Sequence, residues 1–568
     1  MDRITKSLLE EFSRESGLSH LPDEDQFEHL AAYLTAGRHV GESFDTGDIV
    51  TGSGGDTGID AIATIVNGAL VSDPELVEEL SGANGYLDAS FIFVQAERSS
   101  GFDAAKIGTF TFGVVDFFAD SPKLPRNSAV KAAAEVMSAV LSRASRFKRG
   151  NPTCRLYYVT TGTWTNDPTL EARRKASIED LERLRLFREV EFIPIDANAL
   201  QKLYQQAKNA ISRDFIFAER TVIPEIKGVN EAYLGLLPAK DFLHLIEDED
   251  GELIKSIFYD NVRDWQDYNT VNAEIRDTLT TSDIRSRFAL MNNGITLIAK
   301  TLRSTGNKIH LEDYQVVNGC QTSHVLHDQR EHLDSSVFVP LRIISTRDES
   351  IIGSIIKATN RQTEVKEEQL LALSDFQKKL EQYFQTFPDN RKLFYERRSR
   401  QFNSVQGVEK TRIVTPGNLI RAYASMFRDE PHRTTRTYRA LLANVGTDIF
   451  GANHRLEPYY AAAYALYCLE YLFRSQALDA RYKPARWHLL LAVRILLNRN
   501  EPPRPNSHDM QRYAEGLMET LWETDKTNTV FQRAAVALAE TAQGNFHRDH
   551  IRTEPFTNSL KKACDAAA

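Results

Sequence analysis

The chain has 568 residues, enough for two or three domains. At 42% hydrophobic and 26% charged it has the composition of a globular protein, and the absence of any long apolar run argues against a membrane partner. A net charge of −9 excludes a generally basic nucleic-acid binder, so any such contact has to be a local patch.

The segment Met1-Asp2-Arg3-Ile4-Thr5-Lys6-Ser7 lacks the apolar core of a signal peptide. Cys154, Cys320, Cys468 and Cys564 lie far apart, which suits neither a disulfide framework nor a zinc site. Both features fit a cytoplasmic protein in a reducing compartment.

In chain order, residues 1 to about 40 read as helices. Phe27, Leu30, Ala31 and Leu34 fall at i, i+3, i+4 and i+7, with Glu28 beside that stripe. The glycine-rich stretch from Thr46 to Gly58 is too permissive for an element interior and delivers Asp60 onto a strand, Asp60 to Val66. Asn67-Gly68 predicts a hairpin turn. Asp73 to Leu80 reads as a short helix or loop insert. Phe91 to Val94 is apolar on both parities, which suits a central strand covered on both faces. Beyond it, Gln95 and Glu97 share one face and Arg98 takes the other. A helix opens near Asp103, buries Ile107, Phe110, Val114 and Phe117, and carries Lys106 in its first turn. Ala129 to Leu141 is another helix. Arg143, Arg146, Lys148 and Arg149 after it suit either a phosphate-facing patch or a solvated helix end. Strands at Leu156 to Thr161 and Val190 to Ile195, with a charged helix between, continue an α/β sheet whose domain should end near 215.

Two strand ends that bring carboxylates together can hold a hard divalent cation, Mg²⁺ or Mn²⁺, which takes oxygen ligands and activates water at a phosphodiester. The turn Gly55-Asp56-Thr57-Gly58-Ile59-Asp60, followed by Phe91-Ile92-Phe93-Val94-Gln95-Ala96-Glu97, resembles the PD-(D/E)XK nuclease superfamily and its Mrr-like restriction branch. The resemblance implies Asp60 as metal ligand and Gln95 as the second position. Glu97 stands where the family has lysine, a departure. Glu97 is then either a ligand or the occupant of a lost lysine position. Lys106 either supplies the missing charge or is a surface lysine. A first-helix acid of this superfamily often approaches the metal, which implies Glu28.

A second set of motifs follows. Asn261-Val262-Arg263, Met291-Asn292-Asn293-Gly294-Ile295-Thr296, Gln315-Val316-Val317-Asn318-Gly319-Cys320-Gln321-Thr322-Ser323, Ala358-Thr359-Asn360-Arg361-Gln362-Thr363 and Phe394-Tyr395-Glu396-Arg397-Arg398 occur in that order. The series is similar to the AIPR (abortive-infection phage resistance) family over about 225 to 500. By residue pattern, Tyr314 to Val317 is a strand, Asn318-Gly319 a tight turn, and Gln321 to Leu326 the start of a helix whose free N–H groups can receive an anion. A strand from Val337 to Ile344 and a helix from Ile355 to Gln362 follow. This layout is loosely similar to ParB/sulfiredoxin-like modules, although Thr322 replaces their arginine. Asn293, Asn318, Gly319, Gln321 and Asn360 either line a nucleotide or phosphate pocket or form a hydrogen-bond network fixing turns.

From Glu367 the chain is mainly helical. Arg391, Lys392, Arg397, Arg398 and Arg400, interleaved with Phe394 and Tyr395, suit either a nucleic-acid backbone or a solvated face. Arg412, Arg421, Arg428, Arg433, Arg436 and Arg439 extend the stretch. No serine-hydrolase elbow, P-loop or zincin pattern is present.

The expected fold is α/β plus α: a restriction-endonuclease-like sheet domain at 1–215, a mixed α/β AIPR core at 216–370, and a helical part at 371–568. The expected function is anti-phage defence by a metal-dependent nuclease cleaving phosphodiester bonds of nucleic acid, DNA in particular, as a homodimer and with a defence-system partner protein. The alternative is a module that binds nucleic acid or nucleotide without cleaving.

Overall fold

The computed structural model describes residues 1–41, 43–52, 54–148, 150–165, 167–208, 211–254, 257–258, 270–360, 375–397, 401–402, 405, 407–434 and 438–567. Two helices open the chain, α1 (Arg3–Glu15) and α2 (Asp23–Ala36). Asp2 caps α1 by accepting from the Ile4 and Thr5 amides, and Asp23, Glu24 and Asp25 place negative charge in the first turn of α2.

The first sheet has five strands in the order β2-β1-β3-β4-β5. They are β1 (Ala61–Val66), β2 (Ala69–Val71), β3 (Ala89–Glu97), β4 (Thr153–Thr160) and β5 (Glu189–Ile195). The Asn67-Gly68 turn joins β1 to β2, with Val66 opposite Ala69. β1 pairs antiparallel with β3 and sets Ala61 opposite Val94, whereas β3, β4 and β5 run parallel. The sheet is covered on both faces. Phe91 and Phe93 of β3 pack with Ile107, Phe110, Val114 and Phe117 of α4 (Ala104–Phe117), following α3 (Pro74–Asn84). The same side carries α5 (Ser128–Leu141) and α6 (Pro168–Glu182). Ile92 and Val94 point the other way, into a core with Phe12, Phe27, Leu30 and Leu34, closed by Leu200 and Tyr204 of α7 (Ala197–Lys208). Apolar residues on both parities of β3 therefore do what their pattern requires.

The second sheet has the order β6-β10-β9-β11-β8-β7. Its strands are β6 (Ser212–Ile216), β7 (Glu219–Val222), β8 (Glu231–Pro238), β9 (Ile295–Thr305), β10 (Lys308–Asn318) and β11 (Phe338–Ser345). β9 and β11 are parallel and the other pairings antiparallel, so both sheets are open and mixed. The expected division at 215 falls inside β6, which pairs with β10 from Ser212 onward. One face is covered by α8 (Ala239–Ile246), α9 (Thr270–Thr280) and α11 (Cys320–Asp328), with the short α10 (Phe288–Met291) before β9. Ile352 and Ile356 of α12 (Glu349–Asn360) pack on the other face against Ile298, Val317 and Ile344.

Beyond this the described chain is helical, with one small parallel pairing of Phe394–Tyr395 and Ile413–Val414. Helices at Pro416–Phe427, Glu457–Arg474, Arg486–Leu497, His508–Leu521 and Thr524–Ala542 share the largest apolar core. Among the described residues no helix is long and apolar enough to cross a membrane.

Candidate functional site

The site lies where β1 begins and β3 ends. Because Ala61 faces Val94 in an antiparallel pair, Asp60 stands opposite Gln95. The Asp60 amide donates to the Val94 carbonyl at 2.9 Å. Its Oδ2 accepts from Gln95 Nε2 at 2.8 Å and from the Ala96 amide at 2.6 Å. Glu97 Oε2 is 2.6 Å from Lys106 Nζ, which reaches across from the first turn of α4. Asp103 caps that turn by accepting from the Ala105 and Lys106 amides. Asp60, Gln95, Glu97 and Lys106 thus come together as strand alternation and the helix start imply.

The glycine-rich turn is fixed from two sides. A Cβ on Gly113 of α4 would lie 2.0 Å from the Thr57 carbonyl oxygen, so only glycine lets the helix approach this closely. Asn127, the α5 N-cap, donates to the Thr51 and Gly54 carbonyls at 3.0 and 3.2 Å. The turn also presents Asp56, whose Oδ1 accepts from the Gly58 amide at 2.8 Å.

Electrostatically the cluster is overloaded with acid. Burial pushes the Asp60 carboxyl up to about 7; the Ala96 N–H opposes this, and Asp56 and Glu97 add to it. Burial likewise raises Glu28 to about 8, reinforced by Asp60, Asp25 and Asp56. Glu28 shares a cavity wall with Asp56 of the glycine turn. Lys106 is held protonated above its ordinary range, first by its hydrogen bond to Glu97. Beside Glu28, His29 Nδ1 lies 2.6 Å from Thr46 Oγ1, and burial lowers it to about 4.

The donor set, carboxylate and amide oxygens, is of the chemical type that Mg²⁺ or Mn²⁺ takes. Among the described residues no group of three or more His, Cys, Asp or Glu side chains is gathered tightly enough to hold a metal ion. Glu97 is engaged by a lysine, and a cation there has to compete with Lys106.

The helical region grips the segment leading into the glycine turn. Arg474 Nη1 pairs with Asp45 at 2.9 Å, Arg486 Nη2 with Asp48 at 3.0 Å, and Lys483 Nζ donates to the Gly47 carbonyl at 3.0 Å. A cavity of about 1670 Å³ opens between the regions, lined by Glu28 and Asp56 but not by Asp60, Gln95, Glu97 or Lys106. Its wall mixes acids with arginines, of which Arg474 and Arg486 are paired to Asp45 and Asp48.

The turn before α11 is internally committed. Gly319 has φ +88°, and a Cβ there would lie 2.7 Å from Ile295 Cγ1 and 3.1 Å from the Gly294 carbonyl oxygen. Gly319 is thus required by packing whether or not an anion binds. Gln321 Oε1 accepts from Asn272 Nδ2 at 2.8 Å, and Asn292 Nδ2 donates to Thr322 Oγ1 at 3.1 Å. Asn318 pairs with Thr296 across β9 and β10, and Asn293 is exposed. The side chain of Asn360 lies outside the described residues, as do Asn261-Val262-Arg263 and residues 361–363.

The basic stretch needs correction. Arg397 is only 5% exposed, and its Nε donates to Glu381 at 2.8 Å, so it is not presented to a nucleic-acid backbone. Lys392 pairs with Asp389 at 2.8 Å, and Arg391 stacks over Trp522 with its guanidinium carbon 4.2 Å from the ring centre. Arg412 pairs with Glu409, and Arg428 and Arg433 with Glu430. Tyr395 is fully buried and packs tilted against Phe384 in the core instead of offering a platform. Arg398, Arg400 and Arg436 lie outside the described residues.

A family model, AIPR protein, matches residues 258–548, slightly more than half of the chain. The chain belongs to the AIPR family. The match begins later than the expected 225 and runs on past 500 into the last helices, so this AIPR protein carries the acidic strand end ahead of its family region. Comparison with curated proteins and with solved structures returned no match.

Proposed function

We propose that this AIPR protein is a metal-dependent nuclease acting in phage defence, with the acidic strand end as its cleavage site. Family membership supports the defence role. The nuclease reading rests on one observation: Asp60 is held opposite Gln95 with the Glu97–Lys106 pair beside it, and burial and mutual repulsion hold Asp60 and Glu28 partly protonated. Such a cluster is relieved by positive charge.

Asp60, Glu97 and the Gln95 amide oxygen would hold Mg²⁺ or Mn²⁺, with Glu28 and Asp56 close by. When bound, the ion supplies Lewis-acid polarisation of a phosphodiester and lowers the pKa of water. The Ala96 amide fixes one oxygen of Asp60 and leaves the other for a ligand. Gln95, whose Nε2 donates to Asp60 here, would have to turn its amide to offer the oxygen to the ion. Lys106, more than half exposed, releases Glu97 and neutralises the phosphate. The AIPR region holds the Asp45–Asp48 segment and thereby the turn that carries Asp56 and Asp60. Its target contact, a homodimer that cuts both strands, and any partner protein belong to the same reading.

The test is incubation of the purified protein with plasmid, single-stranded DNA and RNA, with Mg²⁺, Mn²⁺ or EDTA. Cleavage that needs the ion and disappears in Asp60→Asn supports the reading; cutting in EDTA, or normal cutting by Asp60→Asn, ends it. Salt-dependent binding without cutting favours a binding module, which the engaged Glu97 also suits.

A further inference from the structure

Tyr158 is the one chemical group at this strand end that nothing so far uses. It lies on β4 directly opposite Gln95. Its side chain is fully buried, yet among the described residues its hydroxyl has no hydrogen-bond partner. The ring is held in place by Phe102 and Phe110, with ring centres 5.8 and 6.3 Å away. A buried hydroxyl without a partner is costly, and such groups are ordinarily satisfied. Burial above all, then the carboxylates of Glu97, Asp103 and Asp60, keeps the phenol protonated, so it is a donor. Glu97 meanwhile has its Oε2 on Lys106, whose side chain is 54% exposed against 20% for Glu97. Of the two, the lysine is free to swing out and the glutamate is not.

We propose that Tyr158 is a positioning residue of the acidic site, its hydroxyl donating to Glu97 when Lys106 leaves that carboxylate. The exchange keeps Glu97 hydrogen-bonded and oriented while Lys106 is engaged elsewhere. It also gives the Tyr158 hydroxyl the partner it lacks while the pair is closed. That Lys106 leaves to meet a phosphate rests on the nuclease reading; the exchange of donors does not.

A double-mutant cycle in the full-length, metal-free protein tests it, with thermal unfolding in EDTA as the readout. Tyr158→Phe alone should leave the midpoint unchanged or raise it, because it removes only an unpartnered hydroxyl. In the Lys106→Met background, where Tyr158 has become the donor to Glu97, the same change should lower the midpoint by several degrees. Adding Glu97→Gln should shrink that loss. Additive effects, or a loss of the same size in both backgrounds, overturn the inference. Where the wild type cleaves, Tyr158→Phe should lower kcat with little change in KM; cleavage together with an additive cycle would retire Tyr158 and leave the nuclease reading intact. A coupled cycle in a protein that cuts nothing does the reverse.

Discussion

The acidic strand end and the basic stretch at 391–412 are both concentrations of one sign of charge, and they are built in opposite ways. At the strand end, Asp60 and Glu28 face other carboxylates, and burial holds both carboxyls well above their ordinary range. In the basic stretch each described cation has an internal partner: Arg397 with Glu381, Lys392 with Asp389, Arg412 with Glu409, Arg391 with the Trp522 ring and Lys410 with the Tyr33 ring. The first arrangement lowers stability and is tolerated where charge is wanted for a ligand. The second is consumed in holding the helical region together. A run of like charge in a sequence therefore says little until its partners are known.

The largest test of this contrast is Arg397→Ala. Glu381 would be left as a half of a nearly buried pair, which costs roughly 3–5 kcal/mol. The unfolding midpoint should fall steeply in denaturant titrations. If Arg397→Ala instead leaves stability intact and weakens nucleic-acid binding, the basic stretch is a contact surface and the contrast fails.

Asp60→Asn should act in the opposite direction. Removing a carboxylate that is ionised against its surroundings should stabilise the metal-free protein by on the order of 2 kcal/mol at pH 8, while ion-dependent cleavage falls to background. A destabilised variant would show that the hydrogen bonds Asp60 accepts from Gln95 and Ala96 outweigh the repulsion on its charge.

The same carboxyls give a pH dependence. Both folded pKa values are raised above the unfolded range near 4, so the folded chain binds more protons than the unfolded one between about 4 and about 8. Their contribution to stability is fully present below that window and is lost as pH rises through about 7 to 8. The metal-free wild type should therefore lose midpoint across this range relative to a Glu28→Gln/Asp60→Asn variant. Mg²⁺ or Mn²⁺ should restore most at the alkaline end. Parallel curves for the two proteins would remove the acidic cluster as a coupled unit.

Much of this strand end is legible in the sequence because short-range rules govern it. Alternation puts Gln95 and Glu97 on one face, apolar residues on both parities mark β3 as central, and Asp103 announces the helix that brings Lys106 in. The second sheet is legible in part: the Asn318-Gly319 junction and β11 stand where the pattern sets them, whereas α12 starts at Glu349, ahead of the expected Ile355. Long-range partners are not legible. β6 joins a strand beginning at Lys308, far along the chain, and Arg397 finds Glu381 sixteen residues back on another element. Tyr158 is hidden for a different reason. Within the buried strand at Thr153–Thr160 an aromatic reads as core, and only the register opposite Gln95 reveals where its hydroxyl lies. Asp56 had a signal, its place in the glycine turn, but nothing local shows that this turn folds back on Glu28.

The smallest expected effect is the sharpest discriminator. Lys392 is paired with Asp389, itself almost fully exposed, and solvent screens such a surface pair so that it contributes little to stability. Lys392→Ala should therefore leave stability nearly unchanged, which makes it a clean probe of binding, unlike Arg397→Ala. If the stretch tracks a nucleic-acid backbone, losing one phosphate contact should reduce the slope of log K against log salt by about 1. If Lys392 is committed to Asp389, the slope should not change. Asp389→Ala is the complementary arm, because it frees the ammonium group without adding charge anywhere else. A steeper salt slope and tighter binding in Asp389→Ala would mean that the pair restrains a cation able to meet phosphate. An unchanged slope in both variants would place any nucleic-acid contact of this protein elsewhere and leave the internal pairing of the basic stretch as its whole purpose.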